Sequence, residues 1–196
     1  MNKRCLTMFI GTILLSSCST PQTLTSYYVI DSTPMPAIAD LGKKSVQILD
    51  LKLPQYLERF QIARREGTNR LTFSDEQQWG ENLRKNLYRT MTRNLAVLLS
   101  TPDVGTAINR SFAKPDYVLR VSIEAFEQTA DGKTQLSARY QISAGELLTT
   151  RQFASSVNRN SRDQYSDMVA DLQALYAELC LDIAINVQQM EAQHAD

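Results

Sequence analysis

Apolar side chains recur at helical spacing in two long stretches of the chain. In the first, Ser74 and Gln77 have the spacing of a capping box, so we predict that a helix begins at Ser74. Its apolar stripe consists of Trp79, Leu83, Leu87, Met91 and Leu95. The second helix is predicted over residues 164–190, with the stripe Met168, Leu172, Leu175, Leu179, Ile183, Val187 and Met190. Both stripes repeat every three or four residues, as one face of an α-helix does.

The other regular elements are predicted to be strands, because β-branched and aromatic residues cluster there in short runs. Asp131-Gly132 is typical of a two-residue hairpin turn, and it joins the predicted strands 117–126 and 135–143. With these two residues as the loop, Val121 faces Ile142 and Glu124 faces Arg139, which gives one apolar and one charge-matched face. The remaining predicted strands are 27–30, 45–51, 60–65, 70–73 and 147–154.

This order of elements predicts the fold class. Strands, a helix, more strands and a last helix follow one another through short connections, which favours an α+β fold. We expect a two-layer sandwich, in which an antiparallel sheet that buries one side is covered by two long helices. The predicted domain covers residues 27–191, with a loop or a single helical turn at 53–59, a loop or a short strand at 101–116, and a polar tail at 192–196.

The N-terminus has the pattern of an exported lipoprotein. Lys3 and Arg4 precede an apolar run of about ten residues, which is too short to span a bilayer and is typical of a signal peptide. Leu15-Ser16-Ser17-Cys18 resembles a bacterial lipobox. We therefore predict that cleavage between Ser17 and Cys18 removes residues 1–17. A plain secretory signal and a short membrane anchor are the alternative interpretations.

Cys18 would then carry a diacylglycerol thioether and an N-acyl chain such as palmitate. Such chains hold a protein on a membrane almost permanently. Residues 18–26 form the predicted tether. Ser19 follows the cysteine, where an aspartate would retain an enterobacterial lipoprotein in the inner membrane. We therefore expect the protein to lie on the periplasmic face of the outer membrane of a Gram-negative bacterium.

Composition excludes several classes of function. Without Lys3 and Arg4, 19 basic residues stand against 21 acidic ones, so phosphate attraction to nucleic acid has no support. Cys180 lies in the apolar pattern of the second helix and is expected to be a core residue. The single histidine, His194, lies near the end of the chain, and we read it as incidental.

No catalytic or cofactor motif is found. The sequence lacks the nucleophile elbow, the zinc-protease helix, paired CxxC cysteines and a glycine-rich phosphate loop, so we predict no enzyme, no metal and no cofactor. Carboxylate pairs, as in glycan hydrolysis, are the remaining enzymatic alternative. Asp50, Glu58 and Glu124 are the candidates, although no spacing singles them out.

Several segments together resemble the ABC-type transport auxiliary lipoproteins, the PqiC-like family. They follow the lipobox at Cys18 in a characteristic order, and Asn82 stands where many relatives have proline. The matching segments are Tyr27-Tyr28-Val29, Leu53-Pro54-Gln55-Tyr56-Leu57-Glu58-Arg59, Gln61-Ile62, Gln78-Trp79-Gly80-Glu81-Asn82-Leu83, Asp116-Tyr117-Val118-Leu119, Phe126, Asp131-Gly132-Lys133 and Tyr165-Ser166-Asp167-Met168-Val169.

This resemblance implies a non-enzymatic role in lipid transport between the two membranes. The implied partners are a periplasmic MCE-domain protein and its inner-membrane permease, and the lipoprotein is expected to form a homo-oligomeric ring. Tyr56, Leu57 and Tyr176 are candidate interface residues, with ordinary core packing as the alternative for each. An assembly lipoprotein of another envelope machine, such as the lipopolysaccharide translocon, is the alternative function.

Overall fold

The computed structural model describes residues 24–106, 108, 114–158 and 165–195. Within them, helix α1 covers Leu83–Leu98 and helix α2 covers Tyr165–Ala195, and Gln55–Glu58 form a single 3₁₀ turn. The strands are β1 (Ser26–Tyr28), β2 (Val46–Lys52), β3 (Gln61–Glu66), β4 (Arg70–Trp79), β5 (Val104–Gly105), β6 (Tyr117–Gln128), β7 (Lys133–Ala144) and β8 (Leu147–Asn158).

All of these strands belong to one mixed sheet. The path β1-β4-β3-β6-β7-β8 runs from one edge to the other, and β2 with β5 branches from β6. One edge of β6 pairs with β7, while its other edge pairs with β2 along residues 117–122 and with β3 at Gln128. The α+β class is confirmed. The sheet is not purely antiparallel, however, because β1–β4, β2–β5, β2–β6 and β3–β6 are parallel pairs.

The β6–β7 hairpin forms as predicted, with a different register. Val121 lies opposite Tyr140, two positions from the predicted Ile142. The turn spans the four residues 129–132, with Gly132 at a φ of 84° that suits glycine, and the register shifts by one between Ile123 and Ala125. Because the net shift is two positions at residues 118–123, each of these side chains keeps its predicted face.

Helix α1 begins nine residues later than predicted. The segment from Ser74 to Trp79 continues β4, and at its end Gln78 pairs with Gln61 of β3 on one side and with Tyr27 of β1 on the other. The Trp79 N–H donates to the Phe60 carbonyl (2.7 Å) and the Gly80 N–H donates to the Tyr28 carbonyl (2.7 Å). Asn82 is the actual N-cap, since its side chain accepts from the Lys85 N–H (3.1 Å).

The two helices cover one face of the sheet. Residues of β7 alternate between buried and accessible, so this face is buried and the other is open, as predicted. The predicted stripes lie in the core, and Cys180 is fully buried among them as expected. The Tyr140 hydroxyl donates to Asp182 Oδ2 (2.5 Å), which joins the sheet to α2.

Other element ends differ modestly from the prediction. β1 stops at Tyr28, two residues early, and β8 extends to Asn158. β5 is a short strand inside the predicted loop 101–116. Helix α2 continues to Ala195, so residues 192–195, predicted as tail, are helical.

Candidate functional site

The segment 53–59, which carries much of the family resemblance, folds as a 3₁₀ turn beside the sheet. Pro54 has extended backbone angles, and its carbonyl accepts from the Leu57 N–H (2.9 Å). Leu57 enters the core and is only 3% exposed. The turn therefore has an apolar anchor, and its polar residues remain accessible.

Two of the three predicted interface residues lie in the core. Leu57 is buried, and Tyr176 is 0% exposed. The Tyr176 hydroxyl donates to the Leu87 carbonyl (2.8 Å), and its ring meets Phe126 edge-on at 6.2 Å. Neither Leu57 nor Tyr176 can contact a partner in this conformation, which corrects the interface expectation for both. Tyr176 instead packs α2 against α1 and the sheet.

Tyr56, the third, lies half-buried beside an ion pair. Arg65 Nε donates to Glu127 Oε1 (2.6 Å), and the Glu127 side chain is 0% exposed. Burial, and then the neighbouring Glu127, raise the pKa of Tyr56 well above its usual range, so the phenol stays neutral. The hydrogen bond to Glu127 raises the pKa of Arg65. This group joins the 3₁₀ turn to β3 and β6.

A second ionic contact holds the other side of the turn. Arg84 Nε lies 3.3 Å from Glu58 Oε1, and Asn82 Nδ2 donates to Glu58 Oε2 (3.5 Å). Glu58 thereby connects the turn to the beginning of α1. The turn is fixed to three elements of the fold, so its exposed residues are presented on a rigid support.

The exposed residues of this segment form what we name the loop surface, consisting of Gln55, Arg59, Phe60 and the adjacent Phe73. Phe60 is 56% exposed, and the Arg59 guanidinium lies 4.7 Å from the centre of the Phe73 ring. A shallow cleft of about 490 Å³ opens beside them. An aromatic side chain and a stacked guanidinium suit contact with a protein surface and offer no acid–base pair.

The carboxylates considered for hydrolysis pair with three different cations. Asp50 lies 3.4 Å from Lys52 and Glu124 lies 3.7 Å from Arg139, while Glu58 pairs with Arg84. Each carboxylate has its own cation. Among the described residues, no group of three or more histidine, cysteine or acidic side chains is placed to hold a metal ion.

The predicted cleavage and lipidation residues, Ser17 and Cys18, lie outside the described residues, and so does the side chain of His194. Neither helix in the described part of the chain has the length and apolarity needed to cross a membrane.

Comparison with known proteins identifies the family. The model of the ABC-type transport auxiliary lipoprotein component matches residues 28–184. The chain belongs to this family. The match begins in β1 and ends in α2, so it includes the 3₁₀ turn and its ionic contacts. The protein is thus an auxiliary component of a transport system. No curated protein matches the chain.

Solved structures support the fold of this family member. A crystal structure of an uncharacterized protein has a TM-score of 0.70 at 19% identity, covering 84% of this chain and 99% of its own. Protein XCC0632 from Xanthomonas campestris, of family DUF330, has a TM-score of 0.70 at 13% identity, covering 85% and 99%. A PelC dodecamer from Paraburkholderia phytofirmans is more distant, with a TM-score of 0.38 at 14% identity, covering 76% and 93%.

Proposed function

We propose that this protein is a non-enzymatic lipoprotein on the periplasmic face of the outer membrane, where it docks the tube of an MCE-type lipid transport system. The observation that carries the proposal is the coincidence of two independent signals. A lipobox ends at Cys18, and ten residues later begins the match to an auxiliary lipoprotein family of ABC-type transport.

The site geometry favours docking over chemistry. The loop surface is held rigidly by the Arg65–Glu127 and Arg84–Glu58 pairs. It presents an aromatic ring and a guanidinium, which are residue types enriched in protein interfaces. Each of the carboxylates considered for hydrolysis is paired with its own cation, which does not favour an acid–base pair of the kind used in glycan hydrolysis.

We further propose a ring in which opposite sheet edges of neighbouring copies meet. A closed ring needs a heterologous contact between two different surfaces of each copy. The two ends of the sheet path provide such surfaces, since β1 exposes 67% of Tyr27 and β8 exposes 62% of Leu148. Among the described residues, β8 pairs only with β7, so its outer backbone edge is open to a neighbour.

The proposal is tested on protein purified from native membranes. Mass spectrometry of the N-terminal peptide should show Cys18 with its acyl chains, and crosslinking should recover an MCE-domain protein. An unmodified Cys18 would refute the anchor. Recovery of lipopolysaccharide-translocon components in place of the MCE protein would favour the alternative function.

A control separates the loop surface from folding. Phe60→Ala and Arg59→Ala should each reduce the crosslinking yield while leaving the melting temperature unchanged. The matched variant Val97→Ala changes an apolar residue that is 53% exposed on α1 and should leave the yield intact.

A further inference from the structure

The direction of β1 fixes the end of the sandwich from which the anchored chain arrives. β1 runs parallel to β4, with Ser26 beside Gln77 and Tyr28 beside Trp79. The N-terminal end of β1, preceded by the described residues Leu24 and Thr25, therefore points toward the side on which β4 begins. That side holds the β3–β4 turn, because Glu66 pairs with Arg70 there.

The same end of the sandwich collects three further features. Arg64 of β3 pairs with Gln128, so β6 ends there and the turn 129–132 follows. Lys133 pairs with Asn158, which brings the end of β8 to the same level. Tyr165 at the beginning of α2 lies there too, since the Arg64 guanidinium is 4.1 Å from the centre of its ring. We name this region the turn end.

The length of the tether limits how far the turn end can be from the membrane. Eight residue steps separate Cys18 from Ser26 and span at most about 26 Å. Tyr27 lies level with Gln61, because both pair with Gln78, and Ser26 lies one step nearer the turn end. The remaining four steps to the level of Glu66 measure about 14 Å, so about 12 Å of tether remains beyond the turn end.

We propose that the turn end faces the bilayer and contacts the lipid head groups, so that the strands stand roughly upright on the membrane. This inference rests on the proposed lipid anchor at Cys18. The β7–β8 turn, the first residues of β6 and the C-terminal part of α2 then point away from the membrane. The β1 and β8 edges face sideways, where neighbours in a ring would meet them.

The charges of the turn end are compatible with a membrane that contains both anionic and zwitterionic lipids. Arg70 pairs with Glu66 at 2.7 Å, and Arg65 pairs with Glu127. These arginines border a cleft of about 400 Å³ between the two turns. Because both arginines are paired with carboxylates, the turn end approaches the bilayer without a net charge from these pairs. The anchor, and not charge attraction, then holds the domain at the membrane. Salt should therefore change the orientation little.

Short-range quenching tests the orientation on the full lipidated protein. A fluorophore is attached to cysteine introduced by Thr68→Cys in the β3–β4 turn or, as the matched control, by Glu146→Cys in the β7–β8 turn. Both positions are exposed. The protein is placed in vesicles of phosphatidylethanolamine and phosphatidylglycerol that carry a head-group quencher. The twelve residues of β7 separate the two ends by about 37 Å.

The expected result is strong loss of fluorescence at Thr68 and little loss at Glu146, at low and at high salt. Equal quenching at both positions, or stronger quenching at Glu146, would overturn the orientation. Vesicle flotation separates the two proposals. A protein that floats without quenching at Thr68 refutes the orientation alone, whereas one that fails to float refutes the anchor and, with it, the orientation.

Discussion

Replacing Asn86 by leucine should destabilise the protein by loosening the segment that leads from β1 into the core. Ile30 is 0% exposed, and its backbone depends on α1 for hydrogen bonds. Asn86 Oδ1 accepts from the Ile30 N–H (2.7 Å), and Asn86 Nδ2 donates to the Ile30 carbonyl (2.9 Å). Thr90 Oγ1 also donates to this carbonyl (2.7 Å).

The loss of unfolding free energy follows from the hydrogen bonds that the substitution removes. Asn86→Leu removes the hydrogen bond to the Ile30 carbonyl, with a net value of about 1 kcal/mol, and leaves the Ile30 N–H buried without its acceptor at a cost of about 1–3 kcal/mol. We expect a loss of about 3 kcal/mol, with about 1 kcal/mol for the matched variant Thr90→Val because the Ile30 carbonyl keeps Asn86.

Thermal unfolding of the purified protein in detergent measures both variants. For a chain of this size the melting temperature should fall by about 6–12 °C for Asn86→Leu and by about 2–4 °C for Thr90→Val. Hydrogen exchange at the Ile30 amide should accelerate in Asn86→Leu alone. Equal losses in the two variants, or unchanged exchange at Ile30, would refute the reasoning.

Three further predictions concern the buried pair, the buried thiol and the sheet edge. Arg65→Met leaves the Glu127 carboxylate buried without its guanidinium and should lower the unfolding free energy, measured in urea, by about 3–5 kcal/mol. Adding Glu127→Gln should recover part of this loss. A double variant no more stable than Arg65→Met would contradict this prediction. Burial raises the pKa of Cys180 to about 12. The contribution of this thiol to stability is therefore complete below the unfolded pKa of about 8.5, and it falls by about 1.4 kcal/mol per pH unit as the pH rises toward the folded pKa. Cys180→Ala should flatten the alkaline slope of the unfolding free energy between pH about 9 and 11. An unchanged slope would count against this. Leu148→Lys should break the proposed ring into smaller particles in light scattering while Val97→Lys does not, and an intact ring in Leu148→Lys would exclude the β8 edge.

The β6–β7 hairpin and helix α1 show which features of the fold could be predicted from sequence patterns and which could not. The alternation of residues 117–126 correctly gives the buried face, because burial acts on every second residue of a strand. The register depends on the length of the turn and on the irregularity beside Glu124, and neither has a strong local signal. Ser74 similarly has a capping pattern, yet β3 and β1 supply backbone partners that outweigh this local preference.

The candidate site was only partly predictable. The segment 53–59 was recognised as important through the family resemblance, and the structure places it against the sheet. The Arg65–Glu127 pair was not predicted, since its residues lie 62 positions apart and a charged residue in a strand is usually exposed. Tyr176 was predicted as an interface candidate, but it is 0% exposed and contacts Leu87 of α1 and Phe126 of β6.

The parallel pairing of β1 with β4 determines how the domain would respond to mechanical tension. A pull on the N-terminal end of β1 along the strand axis would load the β1–β4 hydrogen bonds together in shear, so that they resist as a group and do not open one after another. Ile30 lies shortly after β1, and the Asn86 side chain hydrogen-bonds both its N–H and its carbonyl. These bonds transfer part of the load to α1. A three-residue strand can thus serve as a robust mechanical connection.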